Sequence, residues 1–384
     1  MTFPSNTRPG LKHLVLLGAG HAHVHVLHSL AQNRPADLNI TVIAPYPRQL
    51  YSGMVPGFVA GHYALDQCVI PLAGLLAGCG ARYIEGSGVA LDAEAKTVTL
   101  AGGETVAWDW LSLNTGPVMD RERIEADMPG AREHALFVRP IEAFGQLWPQ
   151  VGALGRSRPI HLVVVGAGAA GLELAMAAAH TLRSADYPPG GHVSLVTGGP
   201  PPAWNYPAGV QRRVVQALRR LQITVLPDAC VGMSAGEVKL AGGARLACDA
   251  PLLAVGAQAP GWLAGSGLDL DAAGFVAVNR FQQSTSHAHV FAAGDVASRI
   301  DAPHPRSGVY AVRAGPPLLA NLHAAWQGQP LQPYAPPGRT LNLISCGGRY
   351  AIAAWGQLHV EGRWVWHLKD RIDRGFVARY TAPA

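Results

Sequence analysis

Two glycine clusters, each following an apolar run, have the plainest chemical use of any residues in this 384-residue chain. Gly18-Ala19-Gly20 follows LVLL at 14–17, and Gly166-Ala167-Gly168-Ala169-Ala170-Gly171 follows IHLVVV at 160–165. A strand that ends on glycine and turns straight into a helix suits a pyrophosphate. The glycines let backbone come close, and the helix N-terminus supplies N–H groups and the positive end of its dipole. The second cluster has all three glycines of the G-x-G-x-x-G pattern, for the turn, the approach and helix–sheet packing. The first has His23 in the third place. One such cluster is weak evidence, but two, with Gly18 and Gly166 148 residues apart, point to two dinucleotide-binding units.

The surrounding pattern supplies the elements. A helix is expected from about 21 to 33 and a second strand over 39–45, and the later cluster is likewise followed by a helix and by HVSLVT at 192–197. A third piece, HVFAAGD at 289–295, reads as a short strand ending in Gly294-Asp295. One carboxylate at a buried strand end is suited to gripping a polyhydroxyl chain. The helix that starts near Gly308 can aim its first N–H groups at negative charge developing on a flavin ring. LSLNTG at 111–116 and LLAVGA at 252–257 read as strands ending in turns at Gly116 and Gly256, the chain crossings between the two units. The ribose-binding acid is missing from both second strands. Ala44 and Pro45 close the first, and Gly198, Gly199 and three prolines follow the other, with Arg212 and Arg213 only further on. The preferred pyridine nucleotide is therefore not readable.

In this order the motifs resemble the two-dinucleotide-binding-domain flavoproteins. The resemblance is nearest to type II NADH dehydrogenase-like proteins, and within them to the subgroup also found fused ahead of selenide, water dikinase. It is carried by GAGHAHVHVL, LYSGMVPGFVAGHY, HVFAAGD, PRSGVYAVRAGPPLLANL and WVWHLKDRIDRGFVARY, and it covers nearly the whole chain. It implies an α/β fold of two Rossmann-like domains, the FAD domain split by an inserted NAD(P) domain, plus a small C-terminal region. The expected bounds are 1–116 and 266–330 for the flavin, 117–265 for the nucleotide, and 331–384 for a C-terminal interface region with an amphipathic helix. It also implies FAD, with Gly18 and Gly20 at the pyrophosphate and Asp295 at the ribityl chain. Thr115 and Gly116 would lie beside the dinucleotide, and Ser52-Gly53-Met54 at the ring, where a plain Gly-Pro turn is the other reading. Val309 and Tyr310 would present backbone to the pyrimidine side. Gly166, Gly168, Gly171 and Gly256 would serve the nicotinamide nucleotide. Glu173 matches an acid near the nicotinamide, or is simply a first-turn acid complementing the helix dipole. Related quinone reductases carry glutamines on the helix after Gly-Asp, where this chain has Tyr310 and Arg313.

Other clusters narrow the function. The net charge of +5 is not gathered into a run dense enough for nucleic acid, which is not expected as a partner. Residues 162–179 are nearly all apolar or glycine, yet the glycine cluster and Glu173 make them a strand, turn and helix rather than a membrane span. The first ten residues read as a short tail with no apolar signal region. His21, His23, His25 and His28 crowd one helix. A metal site is one reading, and positions for His21 and His23 beside the pyrophosphate, where partial protonation is welcome, are the other. Five scattered cysteines suit a reducing cytoplasm, and Cys68 and Cys79 are too far apart for a disulfide-reductase pair. Cys346 either reaches the ring or is a small buried residue. Leu368, Ile372, Phe376 and Tyr380 recur every four residues with Lys369, Arg371, Arg374 and Arg379 between them. That helix either rests on an anionic membrane or packs on its own domain with its Arg side chains solvated.

The leading expectation is an electron relay from NAD(P)H through flavin to a quinone or similar acceptor, in the cytoplasm or on the inner face of its membrane. The rivals are a flavoprotein redox sensor or assembly partner in selenium handling, and a sulfide-oxidising enzyme using Cys346.

Overall fold

The computed structural model describes residues 10–381, so residues 1–9 of the expected tail lie outside the described residues. Strand β1 (Lys12–Leu17) has its last four residues buried, as a strand covered on both faces must. It turns into α1 (His21–Gln32) and returns as β2 (Leu38–Ala44). A short helix α2 (Val55–Val59), β3 (Arg82–Glu85) and β4 (Trp110–Leu113) follow. The next unit is built from β5 (Leu136–Phe137), β6 (His161–Val165), α3 (Ala169–Thr181), β7 (His192–Val196), α4 (Ala208–Arg220), β8 (Thr224–Leu226) and β9 (Ala250–Leu253). The chain then supplies β10 (Val290–Ala292), α5 (Gly308–Arg313) and α6 (Gly315–Trp326). It ends in β11 (Leu341–Ser345), β12 (Ala351–Trp355), β13 (Leu358–Gly362) and α7 (Arg363–Thr381).

The first sheet has the order β10-β4-β1-β2-β3 and the second β5-β9-β6-β7-β8, with every neighbour parallel. Because β10 returns to the first sheet, all strands of the second fall within one excursion of the chain. This is the expected α/β architecture of two Rossmann-like units, and β11-β12-β13 add a small antiparallel sheet.

Two expectations change. β4 and β9 are not mere crossings. Each is the inner strand directly beside a glycine-bearing strand, and its C-terminal end presses on that strand's loop. The helix α7 also does not carry one apolar stripe. A four-residue step overshoots a 3.6-residue turn by about 40°, so the repeat drifts around the helix. Trp364, Leu368 and Ile372 are consequently exposed, whereas Phe376 and Tyr380 are buried. Phe376 stacks on Tyr51 at 4.5 Å, and Lys369 is buried too.

Candidate functional site

The first glycine loop is shaped by Asn114, at the end of β4. Gly18 has φ +89°, and a Cβ there would lie 2.6 Å from the Asn114 backbone. A Cβ on Gly20 would collide with the Asn114 side chain. Gly20 is the N-cap of α1 and has no side chain to offer. Asn114 Oδ1 takes over, accepting from the Ala22 and His23 amides at 3.1 Å each, while Nδ2 donates to Ala293 O at 2.6 Å. One buried amide thus caps α1 and ties together the ends of β4 and β10.

His23 is wholly buried beneath this loop. Its Nδ1 donates to Gly18 O at 2.6 Å, which fixes the tautomer, so Nε2 accepts from the Ser112 hydroxyl at 2.8 Å. Burial lowers its pKa to about 4. The expectation that His23 sits partly protonated beside a pyrophosphate is therefore corrected: both ring nitrogens are bonded to protein and the ring is neutral. His21 packs near Tyr51 and Phe376, with Nε2 3.5 Å from Ser52 Oγ. Burial, helped by the Arg139 charge, lowers its pKa to about 4 as well. His25 bonds Tyr380 Oη and His28 bonds Gln32, so the four rings serve separate partners.

Ser52-Gly53-Met54 forms a 3-10 turn leading into α2, with Met54 fully buried. Lys369 Nζ donates to Gly53 O at 2.6 Å and to Asp373 Oδ2 at 2.6 Å, and the Tyr51 hydroxyl bonds Asp373. Burial pushes the Asp373 carboxyl up, and Lys369 opposes it. Opposite this turn, a Cβ on Gly308 would be 3.6 Å from Ser52 Oγ, so the turn faces the uncapped start of α5. Val309 and Tyr310 occupy that first turn, with the Tyr310 side chain directed to Pro337 O and stacked on His304. Asp295, one residue after Gly294, makes no hydrogen bond or ion pair among the described residues. Burial raises its carboxyl, against the charges of Arg139, Arg306 and His304. Gly116 has φ +71° and open space around it, next to the exposed Thr115.

The second loop separates its three glycines by cause. Gly166 has φ +126° and abuts the Ala254 carbonyl, and a Cβ on Gly171 would strike Gly166 O. Gly168 has ordinary extended backbone, and nothing lies within 4 Å of its Cβ position. No protein contact demands glycine there, whereas a ligand lying against the backbone would. Gly256 is equally open. Arg213 is occupied with Glu361 at 2.6 Å and His359 at 3.0 Å, so it supplies no cation at the end of β7. Glu173 Oε1 accepts from the Ser345 amide at 2.7 Å. Burial raises its carboxyl, opposed first by the charge of Lys369. Glu173 on the nucleotide-side helix and Gly53 on the turn after β2 are thus both coupled to Lys369.

Reasoning from sequence missed Asn114, Arg139, Tyr51, Lys369 and Asp373. The i,i+4 spacing of Lys369 and Asp373 was a visible signal; Arg139 had none. Cys346 is buried and its thiol is pushed up to about 12, first by burial and then by Glu173, so it is protonated at neutral pH and is no nucleophile there. All five cysteines are free and buried.

The open approach at Gly168, the glycine loop under α1 and the unpartnered Asp295 fit a flavin dinucleotide and a second nucleotide. Comparison with known proteins agrees. Residues 12–315 match the pyridine nucleotide-disulphide oxidoreductase family. The sulfide-quinone reductase of Aquifex aeolicus is 32% identical over 109 residues, which is 28% of this chain and only 24% of that protein. The NADH dehydrogenase-like protein YutJ of Bacillus subtilis is 21% identical over 346 residues, 89% of this chain and 91% of that one. Among solved structures, the sulfide:quinone oxidoreductase of Aquifex aeolicus superposes with a TM-score of 0.77 at 19% identity, covering 97% of this chain and 92% of that one.

Proposed function

Since the chain belongs to the pyridine nucleotide-disulphide oxidoreductase family, whose members use FAD and NAD(P)H, we propose that it is an NAD(P)H dehydrogenase delivering electrons to a quinone or similar acceptor. The observation that carries this reading is the linkage of Glu173, Lys369 and Gly53, which joins the two glycine-loop units at one point. The names of the similar proteins, a quinone reductase and an NADH dehydrogenase-like protein, support it.

In this reading residues 1–116 and 266–330 hold the flavin and 117–265 the nucleotide. The Gly18–Gly20 loop and the α1 amides receive the FAD pyrophosphate, and Asp295 receives the ribityl hydroxyls. Thr115 and Gly116 line the dinucleotide, and the Ser52-Gly53-Met54 turn and the first amides of α5 border the ring. Gly166, Gly168, Gly171 and Gly256 receive the nicotinamide nucleotide, and Glu173 lies near its ring. Bound FAD supplies the two-electron chemistry. The protein's part is to align two rings and to offer amides where negative charge gathers. The neutral His21 and protonated Cys346 add no nucleophile, so sulfur oxidation through Cys346 is not favoured.

No helix among the described residues is long and apolar enough to cross a membrane. Peripheral contact is supported by Trp364, Leu368 and Ile372, exposed along α7 beside Arg371. Such contact brings the site to a lipid-soluble acceptor on the inner face of the membrane.

The test is anaerobic addition of NADH or NADPH to the yellow protein. Bleaching of the flavin absorbance, reversed by a soluble quinone, is expected. Absence of bleaching with both nucleotides overturns the dehydrogenase reading.

A further inference from the structure

Away from both glycine loops, four parts of the chain meet around an open cavity of about 420 Å³ lined by His62, His180, Arg349, Tyr350 and Arg363. Its size falls within the roughly 300–1,000 Å³ of small-molecule pockets. His62 lies just after α2, and His180 is in the last turn of α3. Arg349 and Tyr350 belong to the turn between β11 and β12, and Arg363 is the first residue of α7.

The lining has no carboxylate, and neither Arg349 nor Arg363 has an ion-pair partner among the described residues. Other arginines nearby are paired, Arg213 with Glu361 and Arg374 with Asp370. Asp370, the acid whose charge reaches His62, is already bonded by Tyr63 Oη at 2.7 Å and Arg374 Nε at 2.8 Å. The turn is firmly seated. Gly347 has φ +80°, and a Cβ there would strike the Met176 carbonyl of α3. Gly347 O accepts from His62 Nε2 at 2.9 Å, which holds the ring against the turn. The His62 and His180 rings are 5.3 Å apart, and the His180 ring makes no hydrogen bond among the described residues. Trp366 backs the group, edge-on to His62 at 5.2 Å and beneath Arg349 at 5.6 Å.

We propose that this cavity binds a phosphate-bearing anion, gripped by the two guanidinium groups and the two imidazoles. Guanidinium forks match phosphate oxygens, and two cations left without counter-ions beside two imidazoles supply the charge that such a group needs. Proton uptake accompanies binding. Burial first, then Arg349, hold His62 below its ordinary pKa, while the Gly347 and Gly348 carbonyls and Asp370 pull the other way. His180 is lowered by burial and then by His62. Arg363 adds positive charge from α7. An entering anion favours protonated rings, so the site binds more tightly as pH falls from about 8 to about 6. Free phosphate compounds and phospholipid headgroups share this chemistry, and Arg363 adjoins the exposed Trp364.

The FAD-loaded protein is titrated calorimetrically with inorganic phosphate at both ends of that pH range. It is also sedimented with phosphatidylcholine vesicles with and without phosphatidic acid. Wild-type protein is expected to bind phosphate more tightly at the lower pH with proton uptake. R349Q and R363Q, both changes of exposed side chains, are each expected to weaken binding roughly tenfold or more, and H180N to flatten the pH dependence. Retention by phosphatidic acid vesicles that free phosphate competes away assigns a lipid headgroup; binding of phosphate without such retention assigns a soluble ligand. The proposal is overturned if neither probe binds, or if binding is unchanged in both arginine variants while thermal melting shows them folded.

Discussion

Lys369 and Gly53, 316 residues apart, are joined by a 2.6 Å hydrogen bond from the lysine Nζ to the glycine carbonyl. The same ammonium pairs with Asp373 one turn along α7, and both side chains are buried. The C-terminal helix is therefore a wall of the candidate site and not an appendage. Lys369→Met leaves the Asp373 carboxylate buried without its cation, a change that costs about 3–5 kcal/mol, whereas removing both charges costs much less. Urea unfolding followed by flavin fluorescence is expected to show K369M markedly destabilised and K369M/D373L partly restored. Equal stability of the two variants contradicts the buried-pair assignment.

Asn114 offers a second test at the other end of the site. Asn114→Ala strips the cap from α1 and orphans the Ala293 carbonyl in the interior. The loss is expected to be about 2–3 kcal/mol, the sum of a helix cap and a buried acceptor left unmade. Asn114→Asp keeps the acceptor but loses the donor, and should lie between. Denaturation midpoints order the three proteins, and FAD retention on dialysis should follow the same order.

His23 makes stability depend on pH. Its folded pKa is about 4, below the ordinary histidine value of 6.5, so on acidification the unfolded chain takes up a proton before the folded one does. Stability is full above about pH 6.5, declines as pH falls, and stops declining through this group near pH 4. At pH 5 the contribution lost is about 2 kcal/mol. Denaturation at pH 7.5 and pH 5 should show His23→Asn less stable at the higher pH but with a smaller drop between the two. A drop as large as in wild type assigns the acid sensitivity elsewhere.

What was legible in the sequence follows the range of the interaction behind it. Gly18 and Gly166 announce themselves because left-handed backbone at a strand end requires glycine whatever surrounds it. The order of glycine strand, helix and second strand is equally local, and it yielded both parallel sheets. Asn114 reaches helix amides 91 and 92 residues back, and no periodicity encodes such a contact. His23 looked like a defect in a glycine motif, although its ring takes the space beneath the loop and bonds Gly18 and Ser112. The α7 repeat was visible, but only packing decides where its drifting stripe passes from solvent to core.

That drift sets the last prediction. Trp364, Leu368 and Ile372 are 58%, 38% and 46% exposed, and α7 uses other residues to pack on the protein. Replacing all three with Ser should leave the melting temperature nearly unchanged. If this face rests on a membrane, the same change removes apolar burial of about 1–2 kcal/mol per side chain, enough to weaken vesicle binding more than tenfold. Arg371, exposed beside the stripe, adds a screened attraction to anionic lipid, so wild-type binding should also fall as salt rises. Cosedimentation with vesicles containing phosphatidylglycerol measures both effects. Undiminished binding by the triple variant removes α7 as the membrane-facing element, and leaves quinone reduction, if observed, to a soluble acceptor.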